Sequence, residues 1–257
     1  MKRWMGVLVV VSSAVPGFCV PIVVGINPTA DAFVRSLDPN HNYGAAGALS
    51  VSGSAAVNGS GVQKGLLDSF LRFNTGGTGG LVSQLDAAFG AGDWVIQKAV
   101  LKFTEQAAPN NPNFNRGVGT FEIRWIANDS WLEGTGDNNT PKTDGVFYQD
   151  EPSILNALTD RSLGSAFANA YASTQQSFQI GLPPEFVTDV MAGGDVSFFL
   201  TATSPSIGFT FNSRNFTTSS ARPWLEITAD AVPEPVSLSL LALGLVGLRR
   251  RGKMRKA

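Results

Sequence analysis

The stretch TFEIRWIA at residues 120–127 is typical of the pattern that decides the fold of this chain. Its apolar residues Phe121, Ile123 and Trp125 alternate with charged residues. Because successive side chains of a β-strand point to opposite faces, this period of two predicts a strand with one buried and one polar face. The residue types agree, since aromatic and β-branched residues are enriched in strands.

Runs of the same kind recur along most of the chain, separated by clusters of Gly, Asn, Pro and Ser. Large apolar residues on both faces of the run at 196–203 predict a strand that is buried on both sides. The other predicted strands are Ala32–Arg35, Leu49–Ser52, Ser69–Phe73, Trp94–Thr104, Phe178–Leu182, Phe209–Asn212 and Trp224–Thr228.

About nine strands with turn residues between them predict an all-β fold, a single jelly-roll-like β-sandwich over residues 26–231. Helical periodicity is sparse and predicts only short helices in loops, at Ile154–Thr159, Ser165–Tyr171 and Pro184–Ala192. Residues 74–92 are predicted to form a long loop. The predicted core consists of Phe70, Leu71, Phe73, Leu101, Phe103, Phe121, Ile123, Phe198, Leu200, Phe209, Phe211 and Leu225.

Composition excludes several classes of function. The chain of 257 residues has 19 Lys and Arg against 20 Asp and Glu, but its basic residues are concentrated at the two ends. The predicted body is therefore acidic, which argues against nucleic acid as a partner because phosphates require a basic surface. With one His and one Cys, the chain alone cannot build a Cys/His zinc site.

Residues 1–25 are predicted to be a secretory signal peptide. Met1–Arg3 is a short basic start, and Gly6–Val15 is an apolar run. Small residues offer cleavage points after Ala14, Gly17 or Gly25, and the sequence leaves the choice open. An uncleaved membrane anchor is the alternative, although the apolar run is short for a span.

Residues 232–257 combine three features in a fixed order. A Pro-Glu-Pro motif is followed by the uncharged run Val236–Leu248 and then by a basic tail. The run is Leu-rich and predicts a short transmembrane helix, and the basic tail marks the cytoplasmic side of the membrane. The residues that form the motif and the basic cluster are Val232, Pro233, Glu234, Pro235, Arg249, Arg250 and Arg251.

This arrangement resembles the PEP-CTERM sorting signal of Gram-negative bacteria. The resemblance implies that an exosortase processes the protein and that the precursor is held in the inner membrane with its body outside. It also implies a final place at the cell surface or in the extracellular matrix, in bacteria that make exopolysaccharide and biofilm. A simple tail anchor is the alternative, but an anchor requires no Pro-Glu-Pro motif.

The body resembles DNRLRE-type domains, which include family 96 of the carbohydrate-binding modules. The resemblance implies an extracellular β-sandwich, with glycan binding in some members. It spans nearly all of residues 30–229, although two loops are longer than is usual. It rests on Ala30–Arg35, Pro39-Asn40, Asn42-Tyr43-Gly44, Ser69–Phe73, Lys98–Phe103, Trp131–Gly134, Phe211–Arg214 and Arg222–Leu225.

Two aromatic residues within these motifs, Tyr43 and Trp131, are candidate glycan contacts, since an exposed aromatic face can stack on a sugar. The structural alternative is that both pack in or beside the core. Arg72 and Arg214 lie among apolar residues and are expected to pair with a carboxylate rather than with a ligand. Asp31, Asp68 and Glu226 are the candidate partners for these two arginines.

The acidic, Asn-rich stretch at 137–144 is a candidate Ca²⁺ site with Asp137, Asn139 and Asp144 as oxygen ligands. It lacks the central Gly and the distant Glu of an EF-hand loop, and a solvated turn is the alternative. No other cofactor is expected.

No motif of catalysis stands out in this sequence. His41 is the only imidazole, and no Gly-x-Ser-x-Gly elbow occurs. The sequence therefore predicts a non-enzymatic, exosortase-sorted protein of the envelope or matrix that binds extracellular polysaccharide. Two alternatives stay open: a polysaccharide lyase or hydrolase that uses a carboxylate or His41, and a purely structural matrix protein without a ligand.

Overall fold

The computed structural model describes residues 20–58, 60–106, 117–137, 139–140, 142–169 and 174–232. The segments predicted as a transmembrane helix (236–248) and as most of the signal peptide (1–19) lie outside these residues. Within the described part of the chain, no helix is long and apolar enough to cross a membrane.

Eleven strands and three short α-helices make up the described body. The strands are β1 Ile22–Ile26, β2 Ala30–Arg35, β3 Ala48–Ser52, β4 Leu67–Asn74, β5 Trp94–Thr104, β6 Gly119–Ile126, β7 Arg161–Ala168, β8 Gln175–Ile180, β9 Asp195–Ala202, β10 Gly208–Asn212 and β11 Trp224–Ala231. The helices are α1 Leu81–Phe89, α2 Glu151–Ile154 and α3 Pro184–Ala192.

The strands form two antiparallel sheets, which confirms the predicted all-β class. One is four-stranded with the order β1-β11-β5-β8. The other is seven-stranded with the order β10-β3-β4-β9-β6-β7, and β2 also pairs with β4. The jelly-roll connectivity stays a prediction.

The inner faces of the two sheets meet in one large aromatic core. The ring of Phe103 on the four-stranded sheet lies 4.4 Å from that of Phe211 on the seven-stranded sheet. Phe121 and Phe178 make a second contact between the sheets at 5.2 Å. All twelve residues predicted to form the core are buried.

The seven-stranded sheet is also buried on its outer face. A second apolar cluster there combines Phe70 and Phe199 of the sheet with Trp131, Val146 and Ile154 of the following loops. We call the described residues between 127 and 160 the covering segment, because they supply the side chains that close this face. The predicted burial of β9 on both sides is therefore confirmed.

Several elements differ from the sequence prediction. The segment expected to be a helix at Ser165–Tyr171 instead begins with the second half of strand β7, which ends at Ala168, and its last two residues lie outside the described part of the chain. The helix expected at Ile154–Thr159 is instead α2, which ends at Ile154. Helix α1 lies inside the predicted loop at 74–92, whereas α3 matches the predicted Pro184–Ala192.

Strand β1 overlaps the range predicted for the signal peptide. Ile22 to Ile26 pair with β11, Ile22 lying opposite Ala229. Val24 faces the core and is 9% exposed. Cleavage after Gly25 would remove most of this strand, so the structure favours a boundary before Ile22.

Candidate functional site

The turn at Asn42 fastens the covering segment to the sandwich. The Asn42 side chain is fully buried. Its amide nitrogen donates to the backbone oxygens of Glu133, at 2.6 Å, and Val146, at 3.1 Å. Its Oδ1 accepts from the backbone N–H of Gly44 at 3.0 Å and of Gly136 at 3.2 Å. The side chain is therefore engaged on both its donor and its acceptor side, and its role is structural.

The two predicted glycan contacts are both buried, Tyr43 being 5% and Trp131 4% exposed. The Tyr43 ring stacks on Phe33 at 4.5 Å, and its hydroxyl donates to Asp38 at 3.1 Å. Trp131 donates from Nε1 to the hydroxyl of Ser197 at 3.0 Å. Neither ring offers a free face to a sugar, so this geometry supports the structural alternative for both residues.

Arg214 crosslinks the covering segment to the loop after β10. It binds the Glu133 carboxylate through two hydrogen bonds, from Nε to Oε1 and from Nη2 to Oε2. The fully buried Asp31 accepts the backbone N–H of Arg214 at 2.6 Å. Burial raises the pKa of Asp31 to about 8, and the nearby Glu133 carboxylate adds to the rise. Asp31 is therefore mostly protonated at neutral pH.

Arg72 holds the covering segment close to the same point, two to four residues before Glu133. Its guanidinium lies 5.0 Å from the centre of the Trp131 ring and donates to the backbone oxygens of Asp129 and Trp131, at 2.6 and 3.0 Å. Its Nε is 3.6 Å from the Asp195 carboxylate. Both arginines pair with carboxylates as predicted, but the partners are Asp195 and Glu133 instead of the expected ones.

The candidate calcium ligands lie on an exposed turn. Oδ1 of Asp137 accepts from the backbone N–H of Asn139 and from the backbone and hydroxyl of Thr140, at 2.7 to 2.9 Å. Both carboxylate oxygens of Asp144 accept from Thr135. No cluster of three His, Cys, Asp or Glu side chains suited to a metal occurs among the described residues. The calcium site stays a prediction, and an ion there would have to displace these hydrogen bonds.

The outer face of the four-stranded sheet is, in contrast, mostly polar and at least partly exposed, with the buried Val100 as an exception. Strand register places Trp224, Lys102 and Ser177 side by side in one row across β11, β5 and β8. The next row contains Glu226 and Gln179 on either side of Val100. Alternation puts these side chains opposite to the buried residues of the same strands.

One end of this face forms a cleft of about 400 Å³ beside Trp224. We call it the Trp224 cleft. The indole is partly exposed and lies against the backbone of Gly25, where a Cβ atom would come within 2.1 Å of Nε1. Lys102 is held by an ion pair with Glu226 at 2.5 Å. The residues that line the cleft are Asn27, Lys102, Gln175, Ser219, Ser220, Arg222 and Trp224.

A second, larger groove of about 720 Å³ lies on the covering segment. Two carboxylates line it, Asp129 and Asp160. Burial raises the pKa of Asp129 to about 6, and one of its oxygens has no hydrogen-bond partner. Asp160 is buried and accepts from the backbone N–H groups of Ala127 and Asn156. His41 does not line this groove.

Comparison with known proteins identifies the C-terminal end of the chain. Residues 231–256 match the family model of the PEP-CTERM protein-sorting motif. No curated protein matches the chain. The match confirms the predicted sorting signal, which implies exosortase-dependent export and sorting to the cell envelope. All but the first two of the matched residues lie outside the described part of the chain.

The sequence analysis placed Trp224 at the start of a predicted strand and did not identify its cleft. The signal was present in the alternation of β11, where Trp224 shares a face with Glu226 and Thr228 and opposes Leu225 and Ile227. Exposed Phe167 on β7 was also missed, because its segment was predicted as a helix.

Proposed function

We propose that this protein is an exported, non-enzymatic binding module that associates with extracellular polysaccharide through the Trp224 cleft. The observation that carries the proposal is the open polar face of the four-stranded sheet, with one aromatic ring lying at its edge beside Lys102 and Gln175. The PEP-CTERM motif supports the location, since it directs the chain to the envelope.

The chemistry of the cleft suits a sugar. A sugar ring has a patch of C–H groups that packs against the electron-rich face of an indole. Its hydroxyls both donate and accept hydrogen bonds, which amide, hydroxyl and cationic side chains can satisfy. Asn27, Ser219 and Ser220 provide such groups around Trp224. The resemblance to DNRLRE-type domains supports the same class of ligand.

An enzyme acting on polysaccharide is the less favoured function. Hydrolysis by the usual mechanism requires two carboxyl groups that are both available to the substrate. In the larger groove, the Asp129 oxygen that has no hydrogen-bond partner among the described residues is buried, and each carboxylate oxygen of Asp160 already accepts a backbone N–H. The proposal therefore treats the groove as a surface feature of the covering segment.

Binding is tested by affinity electrophoresis in gels that contain exopolysaccharide extracted from the producing bacterium. We expect the wild-type chain to be retarded and Trp224→Ala to migrate freely. Gln175→Ala, which changes the cleft without removing the indole, should give an intermediate retardation. Leu158→Ala is a matched control, since Leu158 is 85% exposed and lies on the covering segment.

Two results would overturn this proposal. Wild-type migration that is unaffected by the polysaccharide excludes binding and leaves a structural matrix protein as the better description. Release of reducing sugar ends during incubation with the same polysaccharide, abolished by Asp129→Asn, would show an enzyme instead.

Sorting is tested separately by charge reversal of Arg249, Arg250 and Arg251. Because basic residues fix the cytoplasmic side of a membrane segment, replacing all three with Glu should reduce C-terminal processing and change the membrane fraction that holds the precursor. Unchanged processing of this variant in fractionated cells would show that the charge of the tail does not affect recognition of the sorting signal.

A further inference from the structure

A further groove, different from the one on the covering segment, lies on the side of the sandwich next to the Trp224 cleft. Strand β7 ends the seven-stranded sheet and β8 ends the four-stranded sheet, and the two lie next to each other. A groove of about 450 Å³ runs between them. Phe167 lines this groove and is 60% exposed, which is unusual for an aromatic ring of this size.

The described residues that line this groove are all uncharged. Beside Phe167 it consists of serine and glutamine side chains with Ala166 and Phe178. Gln176 is held in place by Asn169, whose backbone N–H donates to Oε1 at 3.0 Å and whose carbonyl accepts from Nε2 at 2.9 Å. An exposed ring among amides and hydroxyls suits a neutral, hydroxyl-rich ligand, because the ring packs on C–H groups and the amides bond the hydroxyls.

The groove and the Trp224 cleft are joined along β8. Gln175 lines the cleft, and the next four residues of the strand, 176–179, all line the groove. At about 3.3 Å per residue, Gln175 and Gln179 are about 13 Å apart along the strand. Ser177, which lines the groove, lies in the same row as Lys102 and Trp224 of the cleft, so an extended ligand that crosses β8 in this row can contact both.

We propose that Phe167 and Trp224 are two subsites of one extended track, which binds an internal segment of a polysaccharide chain rather than its end. This inference rests on the proposed function and adds the length and direction of the ligand to it. The described residues leave both grooves open to solvent. Contacts at both rings then add up only for a ligand long enough to span them.

The test uses exopolysaccharide of the producing bacterium, hydrolysed partially and separated into fragments of two sugars and of eight sugars. Isothermal titration should give tighter binding for the longer fragment. Phe167→Ala should weaken binding of the eight-sugar fragment about three- to tenfold, the contribution of one aromatic contact, and leave the two-sugar fragment unaffected. Phe167→Tyr, which keeps the ring, should restore the wild-type affinity.

The outcomes separate this inference from the proposed function. Binding that depends on Trp224 but is equal for both fragment lengths, and is unchanged in Phe167→Ala, overturns the track and keeps the binding module. No binding of either fragment or of the intact polysaccharide overturns both. If Phe167→Ala instead converts a dimer to a monomer in size-exclusion chromatography without changing affinity, the groove is a contact between two copies of this chain.

Discussion

The two sheets of this protein differ in what lies on their outer faces. The seven-stranded sheet is covered by residues 127–160 and buries Phe70 and Phe199 beneath them. The four-stranded sheet exposes rows of polar side chains with Trp224 at their edge. The two sheets share an apolar core, so the difference lies only outside it. The covered side therefore adds apolar burial to that of the shared core, whereas the other side leaves its polar side chains in contact with solvent.

The largest expected loss of stability comes from a substitution in the core that the two sheets share. Phe103 is fully buried between the sheets and contacts Phe178 and Phe211. Phe103→Ala should lower the free energy of unfolding by about 3–5 kcal/mol, because it removes a buried ring and leaves a cavity. Urea unfolding measures this loss, and a loss below ~1 kcal/mol would contradict the position of Phe103 in the core.

A matched pair of substitutions on the two outer faces tests the comparison directly. Phe199→Ala removes a ring from the second apolar cluster and should cost about 3 kcal/mol. Thr228→Ala, on the open face of the four-stranded sheet, should change stability by less than about 0.5 kcal/mol. Equal losses in urea unfolding would show that the open face is covered in solution.

The first strand of the open sheet decides where the mature chain begins. If residues 20–25 are deleted, the sheet loses most of β1 and the burial of Val24, and we expect a loss of about 2 kcal/mol. The mature N-terminus, determined by mass spectrometry on protein from the envelope, should therefore precede Ile22. A mature chain that begins at Ile26 would show that the four-stranded sheet is completed without β1.

The buried carboxyl groups on the covered side should make the stability of the protein depend on pH. The pKa of Asp31 is raised from 3.8 to about 8 by burial, so the folded state holds a proton that the unfolded state releases. Stability should therefore fall as pH rises from about 4 to about 8. Asp31→Asn keeps an acceptor for the N–H of Arg214 and should make the free energy of unfolding less dependent on pH across this window.

Some dependence should persist in that variant, because the pKa values of Asp68, Asp129 and Glu151 are also raised, mainly by burial. All three belong to the seven-stranded sheet or the covering segment. Asp137→Asn is the control. Hydrogen bonds from Thr140 and Asn139 lower the pKa of this exposed carboxyl, so its titration falls below the window from about 4 to about 8 and the substitution should not change the pH dependence there. A steeper fall in Asp31→Asn than in wild type would contradict the burial argument.

The smallest expected effect is the shift in melting temperature on addition of calcium, which would bind only to the covering segment. A site at Asp137, Asn139 and Asp144 predicts that the melting temperature rises with added Ca²⁺ and falls with chelator, and that Mg²⁺ does less. Asp144→Ala should remove this shift. A thermal melt that is identical with Ca²⁺ and with chelator would dismiss the site and assign these residues to the turn alone.

Most strands were predictable because each carries its own signal. In β6 the alternation is regular, in β5 the apolar and β-branched run is long, and the predicted bounds of both agree with the structure to within a residue. Strand β7 was missed because its sequence, RSLGSAFA, is interrupted by Gly164 and by a register shift in its pairing with β6. Helix α1 was missed because the glycine-rich stretch before it resembles a loop.

The candidate site was less predictable, because exposure is a property of the assembled sheets. A tryptophan has the same chemistry in a core as on a surface, and only the pairing of β11 with β1 and β5 places Trp224 outside. Tyr43 and Trp131 illustrate the reverse case. Both lie among turn residues in the sequence, yet both rings are buried in the assembled fold. All three parts of the sorting signal could be predicted, since the signal is defined by the order of its segments and by their charge rather than by a folded structure.

The pairing of the first strand with the last has a mechanical consequence. Ile22 lies opposite Ala229, so the chain enters and leaves the sandwich at one corner. A pull between the two ends would separate β1 from β11 one residue pair at a time, from that corner inward. A pull between the C-terminal end and a polymer held on β8 would run along the hydrogen-bonded strands β11, β5 and β8 of one sheet, and it would reach the other sheet only through the shared core.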